Sequence, residues 1–78
     1  METIVDVAGN KLHVGDKVWM VDWMNNSTAR PDLVEDTIVS ITGKKRRQIH
    51  FTDEYRTVIA FYDEKEDWFQ TNKCIRIK

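Results

Sequence analysis

Short runs of apolar and β-branched residues follow one another along the chain, and none has the i, i+3, i+4, i+7 spacing of an amphipathic helix. Valine, isoleucine, threonine and aromatic residues dominate these runs, and such residues favour strands. Gly, Asn, Asp and clusters of charged residues separate the runs, as in tight turns. Because the chain has only 78 residues, the pattern predicts a single all-β domain, a small barrel of five to six short strands.

The predicted order begins with an extra N-terminal β-hairpin over residues 3–14 and continues with a barrel over residues 15–78. A single helical or 3₁₀ turn is expected within residues 67–73, before the last strand. Alternation within the strands predicts which side chains fill the core. These are Val18, Val39, Ile41, Ile49, Phe51, Ile59, Phe61, Ile75 and Ile77.

Three short motifs resemble those of known small barrels. The run GDKVW at residues 15–19 is similar to the opening of the first strand of SH3-like barrels, including KOW and Tudor-type domains. The run WFQTNKCI at residues 68–75 fits the 3₁₀ turn that commonly separates the last two strands of such barrels. The spacing of Asp6, Gly9, Gly15, Asp16 and Val18 resembles a D-x-x-G-x-x-x-x-x-G-D-x-V run of small phage and mobile-element proteins. The resemblance implies an SH3-like fold, but small barrels have many unrelated functions.

Charge and cysteine content bound the class of protein. The net charge of −1 implies no general attraction to DNA or to anionic membranes. Cys74 is the only cysteine, so no intramolecular disulfide can form and a reducing compartment is expected. The N-terminus lacks the basic and apolar segments of a signal peptide, and no apolar run approaches the length that spans a bilayer. These features predict a complete, cytoplasmic protein that does not contact a membrane.

Residues that could carry catalysis or bind a metal are few and scattered. His13, His50 and Cys74 have no paired spacing, whereas structural zinc sites usually have four ligands in closely spaced pairs. No glycine elbow lies beside Cys74, and no phosphate-binding loop is present in the sequence. Acidic residues are adjacent or clustered at positions 35–36, 53–54 and 63–67. They are expected to lie in polar turns, where they favour solubility. We therefore expect no metal, no cofactor and no enzymatic activity.

The basic cluster Lys44, Lys45, Arg46 and Arg47 follows Gly43, and all four residues are expected to form an exposed hairpin tip, because adjacent cations cannot be buried without partners. Such a tip can be a solvated turn that discourages edge-to-edge association. It can also bind an acidic protein, or it can bind phosphates of a nucleic acid. Residues 63–67 form an acidic turn, so the chain is expected to be dipolar and able to steer a charged partner or a second copy of itself.

Tryptophans are numerous for so short a chain, and both faces of the first long strand are largely apolar. Trp19 and Trp23 share one face if the strand alternates regularly. One interpretation is that Ile4, Val7 and Leu12 of the N-terminal hairpin cover Trp19. The other is that Trp23 and its neighbours stay exposed as an anchor for a partner, as tryptophans often do at interfaces.

The sequence therefore predicts a non-catalytic binding module. The resemblance implies a small phage or mobile-element accessory protein that acts by contacting a host protein. The candidate binding residues are Lys44, Lys45, Arg46, Arg47, Trp19 and Trp23. The alternative is a nucleic-acid-binding barrel that uses residues 44–47, and self-association is a further alternative.

Overall fold

Seven strands form one sheet in this computed structural model, which describes residues 3–22 and 32–77. The strands are β1 Ile4–Val5, β2 Lys17–Asp22, β3 Asp32–Thr42, β4 Arg46–Phe51, β5 Thr57–Asp63, β6 Trp68–Gln70 and β7 Cys74–Arg76. The described residues contain no helix, so the all-β prediction is confirmed. Six of these strands lie within residues 15–78, for which five to six were predicted, and β1 lies in the N-terminal segment. The sheet has the order β1-β6-β5-β4-β3-β2-β7 and curls into a half-barrel.

Strand β3 belongs to two parts of the sheet. Residues 32–37 pair with β2, and residues 38–42 pair with β4, with a register shift between Ile38 and Ser40. A bulge of this kind bends a strand and increases its twist. We call β7, β2 and residues 32–37 the β2 half, and residues 38–42 with β4, β5, β6 and β1 the β4 half. The curl of the sheet brings the inner faces of the two halves together.

Both halves contribute to one core. Val18 and Met20 come from β2, Ile49 and Phe51 from β4, and Phe69 from β6. The remaining buried members are Ile4, Leu12, Ile38, Val58, Ala60 and Cys74, and the half-buried Val34 and Ile41 pack against them. The predictions for Val18, Ile49 and Phe51 are confirmed, because all three are buried.

The predicted faces of β5 and β7 are wrong. Phe61 and Ile75 are exposed, and Ile59 and Ile77 are half-buried. Neighbouring strands set these faces, because side chains of paired residues point to the same side of a sheet. Ile49 points inward and pairs with Val58, so Val58 and its alternate neighbour Ala60 fill the core in place of Ile59 and Phe61.

Two further positions depart from the predicted core for local reasons. Val39 is exposed because it lies at the register shift between Ile38 and Ser40, and Ile38 takes the buried place. In β7, Cys74 pairs with the inward-pointing Met20, so Cys74 is buried and Ile75 points outward. The alternation of apolar residues in the sequence shows neither the bulge in β3 nor the pairing of β7 with β2, so it cannot predict these two exposed positions.

The N-terminal segment turns back on itself and also joins the sheet. An antiparallel bridge pairs Val5 with Lys11, and the N–H groups of Asp6 and Leu12 donate to Asn10 O at 2.9 Å and to Ile4 O at 2.8 Å, which links the two arms of the predicted hairpin. Strand β1 pairs in parallel with β6, where Ile4 lies opposite Phe69. Ile4 and Leu12 are therefore part of the core and do not cover Trp19, and Val7 is exposed.

The predicted 3₁₀ turn before the last strand is wrong. Residues 68–70 form β6, with turns before it and bends after it. The backbone N–H of Phe69 donates to Thr3 O at 2.8 Å, and that of Thr71 donates to Val5 O at 3.1 Å. The neighbouring β1 thus supplies hydrogen-bond partners for the backbone of residues 68–71, so this segment stays extended. In a helical turn, the same N–H groups would need partners within the turn.

The Asp6 carboxylate joins β1 and β7, the two outermost strands of the sheet. Its Oδ2 accepts a hydrogen bond from the N–H of Arg76 at 2.8 Å, and its Oδ1 accepts from the N–H groups of Ala8 and Asn10 at 2.9 Å. Burial by itself raises the pKa of Asp6, but the hydrogen bonds from Arg76, Asn10 and Ala8 outweigh it, so the pKa lies below its ordinary value. The ionised side chain therefore holds β1 and β7, the two edge strands of the half-barrel, together.

Candidate functional site

The outer side of the β2 half carries four large apolar side chains in two cross-strand pairs. Trp19 of β2 lies opposite Ile75 of β7, and Val21 lies opposite Leu33 of β3. All four are exposed, Trp19 to 39% and Leu33 to 64%. We call these four residues the Trp19 face. Alternation along β2 explains it, because Val18 and Met20 take the inward positions.

The Trp19 face has little charge. Lys17 Nζ lies 3.7 Å from Glu35 Oε1 beside it, and both side chains are well exposed, so the ion pair contributes little to stability. Trp23, the other predicted anchor, lies outside the described residues. The sequence alone does not predict Leu33 and Ile75 at this surface, because their position beside Trp19 depends on strand pairing.

The basic turn connects β3 to β4 through residues 43–45. Gly43 has a φ of 91°, and a Cβ at this position would collide with the backbone carbonyl of Arg46, so only glycine fits here. Lys44, Lys45 and Arg46 are exposed, as predicted.

Arg47 is half-buried, so the prediction that all four cations form an exposed tip is wrong for this residue. Its partner in β5 is the buried Ala60, which places both side chains on the inner side of the sheet. There the guanidinium lies 6.0 Å from the ring centre of Phe69, within cation–π range, and it donates a hydrogen bond to the carbonyl of Gly43. Arg47 therefore links β4 to β6 and to the basic turn on the inner side of the sheet.

The outer side of the β4 half differs from the Trp19 face. Arg46 lies opposite Phe61, Gln48 opposite Ile59, and His50 opposite Thr57. We call Arg46, Gln48, His50, Ile59 and Phe61 the Arg46 face. Phe61 is 56% exposed, and the His50 ring hydrogen-bonds to the Thr42 hydroxyl at 2.9 Å. None of the outward positions from Arg46 to His50 and from Thr57 to Phe61 is acidic.

The acidic turn at residues 63–67 lies at the same end of the sheet as the basic turn, because Arg46 begins β4 opposite Phe61 near the end of β5. The basic turn and the acidic turn, which make up the predicted dipole, therefore both lie at this end of the sheet. The Asp63 carboxylate accepts hydrogen bonds from the N–H groups of Lys65 and Glu66 and from Gln70 Nε2. The Tyr62 hydroxyl donates a hydrogen bond to Asp67 Oδ1, and this hydrogen bond raises the pKa of Tyr62.

An open groove of about 1030 Å³ includes residues of both faces in its lining. It is lined by Met20 and Val58 from the inner side, Val21 from the Trp19 face, Phe61 from the Arg46 face, and Arg56. The groove is therefore continuous with both exposed surfaces.

A buried acid orients Arg56 at the edge of this groove. Arg56 Nη1 donates to Asp36 Oδ2 at 2.9 Å and lies 3.6 Å from Asp53 Oδ2. Burial would raise the pKa of Asp36, but the hydrogen bonds from the Thr37 N–H and from Arg56 lower it below its ordinary value. This network fixes the loop between β4 and β5.

The described side chains do not assemble a metal-binding cluster: no three His, Cys, Asp or Glu residues among them converge. Cys74 is buried, and its burial, together with the nearby Asp6 carboxylate, raises the pKa of the thiol to about 11. The thiol is protonated at neutral pH, whereas the thiolate is the reactive form. His13 is exposed and His50 is half-buried.

The chain belongs to a family of domains described as "Domain of unknown function (DUF7205)", which matches residues 4–77. No curated protein and no solved structure matches the sequence. In the described part of the chain, no helix has the length and apolarity that a membrane crossing requires.

Proposed function

We propose that this domain is a non-catalytic binding module that contacts a protein through the Trp19 face. One observation carries the proposal: four large apolar side chains lie together on the solvent side of the sheet. Antiparallel sheets with one solvated side normally place polar residues there. Contiguous apolar surface on a small protein marks an interaction site, and tryptophan is the residue type most enriched among interface anchors.

The chemistry of the face favours a protein partner. Glu35 lies opposite Trp19 and is paired with Lys17, so the face presents a single ion pair and no cluster of cations for phosphates. Trp19 supplies a broad ring, and Val21, Leu33 and Ile75 surround it with aliphatic surface. A partner with an apolar patch of similar size would exclude water from the ring. That the partner is a host factor, and the domain a phage or mobile-element accessory protein, stays a prediction from the sequence resemblance.

The test compares variants in affinity capture from a lysate of the encoding organism. A Trp19→Ser/Leu33→Ser variant removes the centre of the face, and Val14→Ser, which replaces an exposed valine elsewhere, is the matched control. We expect at least one protein to be retained by the native domain and by the control and lost with the double variant. For the purified partner, the double variant should weaken the Kd by roughly 30-fold or more, as loss of an interface anchor does.

Two results would overturn the proposal. One is a set of captured proteins that does not depend on Trp19 and Leu33. The other is a concentration-dependent dimer of the native domain, measured by light scattering, that the double variant abolishes, because the face would then be occupied by a second copy.

A further inference from the structure

We propose that the Arg46 face, with Lys44 and Lys45 beside it, binds single-stranded nucleic acid. This surface lies on the other sheet half from the Trp19 face, so the inference goes beyond the proposed function. It depends on three features of the described residues: the charge of the face, an exposed aromatic ring, and the position of the acidic turn.

The first feature is charge. Lys44, Lys45 and Arg46 are exposed in one unbroken stretch that leads onto β4. The chain as a whole has 13 acidic residues against 12 Lys and Arg, yet no acid occupies the outward positions of β4 or those of β5 as far as Phe61. Cations without neighbouring carboxylates on the same strand face can contact successive phosphates of a backbone.

The second feature is the exposed ring of Phe61. Its cross-strand neighbours are Arg46 on one side and Gln70 on the other. An aromatic ring on an open sheet surface stacks with an unpaired base, and this contact tolerates any base because each has a π face. Arg46 can reach the adjoining phosphate, and Gln48, the next outward residue of β4, offers an amide to a base edge. A duplex would keep its bases stacked inside, so the face fits a single strand.

The third feature is the acidic turn, which limits where the strand can run. Glu64 and Glu66 are exposed at the end of β5, and they would repel phosphates beyond Phe61 toward β6. The backbone is therefore expected to follow β4, from Lys44 past Arg46 toward His50. The six residues of β4 span about four nucleotides, which is the short end of the range known for small barrels.

The test is fluorescence anisotropy with labelled 12-nucleotide oligo-dT and oligo-rU at several salt concentrations. A Lys44→Gln/Lys45→Gln/Arg46→Gln variant removes the cations, and Lys11→Gln/Lys17→Gln/Lys73→Gln, at exposed sites elsewhere, is its matched control. Both variants lower the net charge of −1 by three. If three phosphate contacts are lost, the slope of log K against log salt should shrink by about 2 in the first variant only.

A second pair of variants tests stacking. Phe61→Leu removes the ring and keeps an apolar side chain, and Tyr55→Leu, at a 90% exposed tyrosine, is the control. We expect Phe61→Leu to weaken binding about tenfold, within the range for one stacked base, and Tyr55→Leu to leave it unchanged. Trp19→Ser should also bind the oligonucleotides normally, which separates this inference from the proposed function.

Three outcomes would overturn the inference. The first is an unchanged anisotropy of both oligonucleotides with the native domain at low salt. The second is an equal loss of affinity in the two charge variants, which would make the binding a matter of net charge alone. The third is displacement of the oligonucleotides by poly-glutamate together with unchanged binding by Phe61→Leu, which would assign the face to an acidic protein.

Discussion

The Trp19 face and the Arg46 face lie on the outside of one curled sheet. The first consists of four apolar side chains next to one ion pair, whereas the second includes Arg46 and Gln48 and has the exposed Lys44 and Lys45 beside it. Their inner sides are alike in one respect, since each half contributes apolar residues to a shared core. Folding therefore constrains the inward positions of both halves in the same way. The outward positions are under no such constraint, and their difference points to two kinds of contact.

The largest expected effect tests which side of the β4 half faces the core. Ile49→Ala removes a fully buried side chain and should lower the free energy of unfolding by about 2–5 kcal/mol. Phe61→Ala, on the outer face, should lower it by less than about 1 kcal/mol. Urea denaturation of the two variants provides the measurement. Equal losses would show that Phe61 is packed and that the Arg46 face is not an exposed surface.

The sequence predicts the inward side of β4 correctly and that of β5 incorrectly, for a physical reason. In β4, Ile49 and Phe51 are the only apolar residues, so alternation has one solution. In β5 both alternatives, Val58 with Ala60 and Ile59 with Phe61, are apolar. Which of these two pairs faces the core then depends on the pairing of β5 with β4. This pairing is a long-range contact, and the alternation of residues within β5 does not show it.

The candidate surfaces were predictable to different extents. Lys44, Lys45 and Arg46 are exposed because a run of cations after a glycine can hardly be buried without partners. Arg47 belongs to the same run but points inward, because β4 has already begun at Arg46 and its side chains alternate. Trp19 was identified from the sequence, whereas its neighbour Ile75 was assigned to the core, since nothing local shows that Cys74 takes the buried place.

A middle-sized effect concerns Asp6, which connects the two halves. Its pKa is lower in the folded protein than the ordinary 3.8, so its stabilising contribution is complete above that value and is lost as the pH falls through the lower, folded pKa. Asp6→Asn should lower the free energy of unfolding at pH 7 by roughly 1.5–3 kcal/mol, as loss of hydrogen bonds to a charged group does. Urea denaturation at pH 7 and at pH 3 measures both quantities.

The control for Asp6 is Glu64→Gln, which removes an exposed carboxylate from the acidic turn. Its unfolding free energy should match that of the native domain at both pH values. The Asp6→Asn variant should also lose less stability between pH 7 and pH 3 than the native domain, with the remaining loss due largely to Asp36, whose pKa is lowered as well. If the Asp6→Asn variant and the native domain lose the same free energy of unfolding between pH 7 and pH 3, the connection between β1 and β7 does not depend on an ionised Asp6.

The smallest expected effects on stability come from substitutions of the outward residues. Variants of the Trp19 face and of the basic cluster should differ in the binding of an apolar dye. Val21→Thr/Leu33→Thr and Lys44→Gln/Lys45→Gln/Arg46→Gln replace exposed side chains, so each should change the free energy of unfolding by less than about 1 kcal/mol. Nile red, a neutral apolar dye, should lose fluorescence with the threonine variant only, because the other variant removes charge and leaves apolar surface in place. Unchanged dye binding by the threonine variant would mean that the Trp19 face is not an accessible apolar surface, and a large loss of stability would mean that its residues serve folding after all.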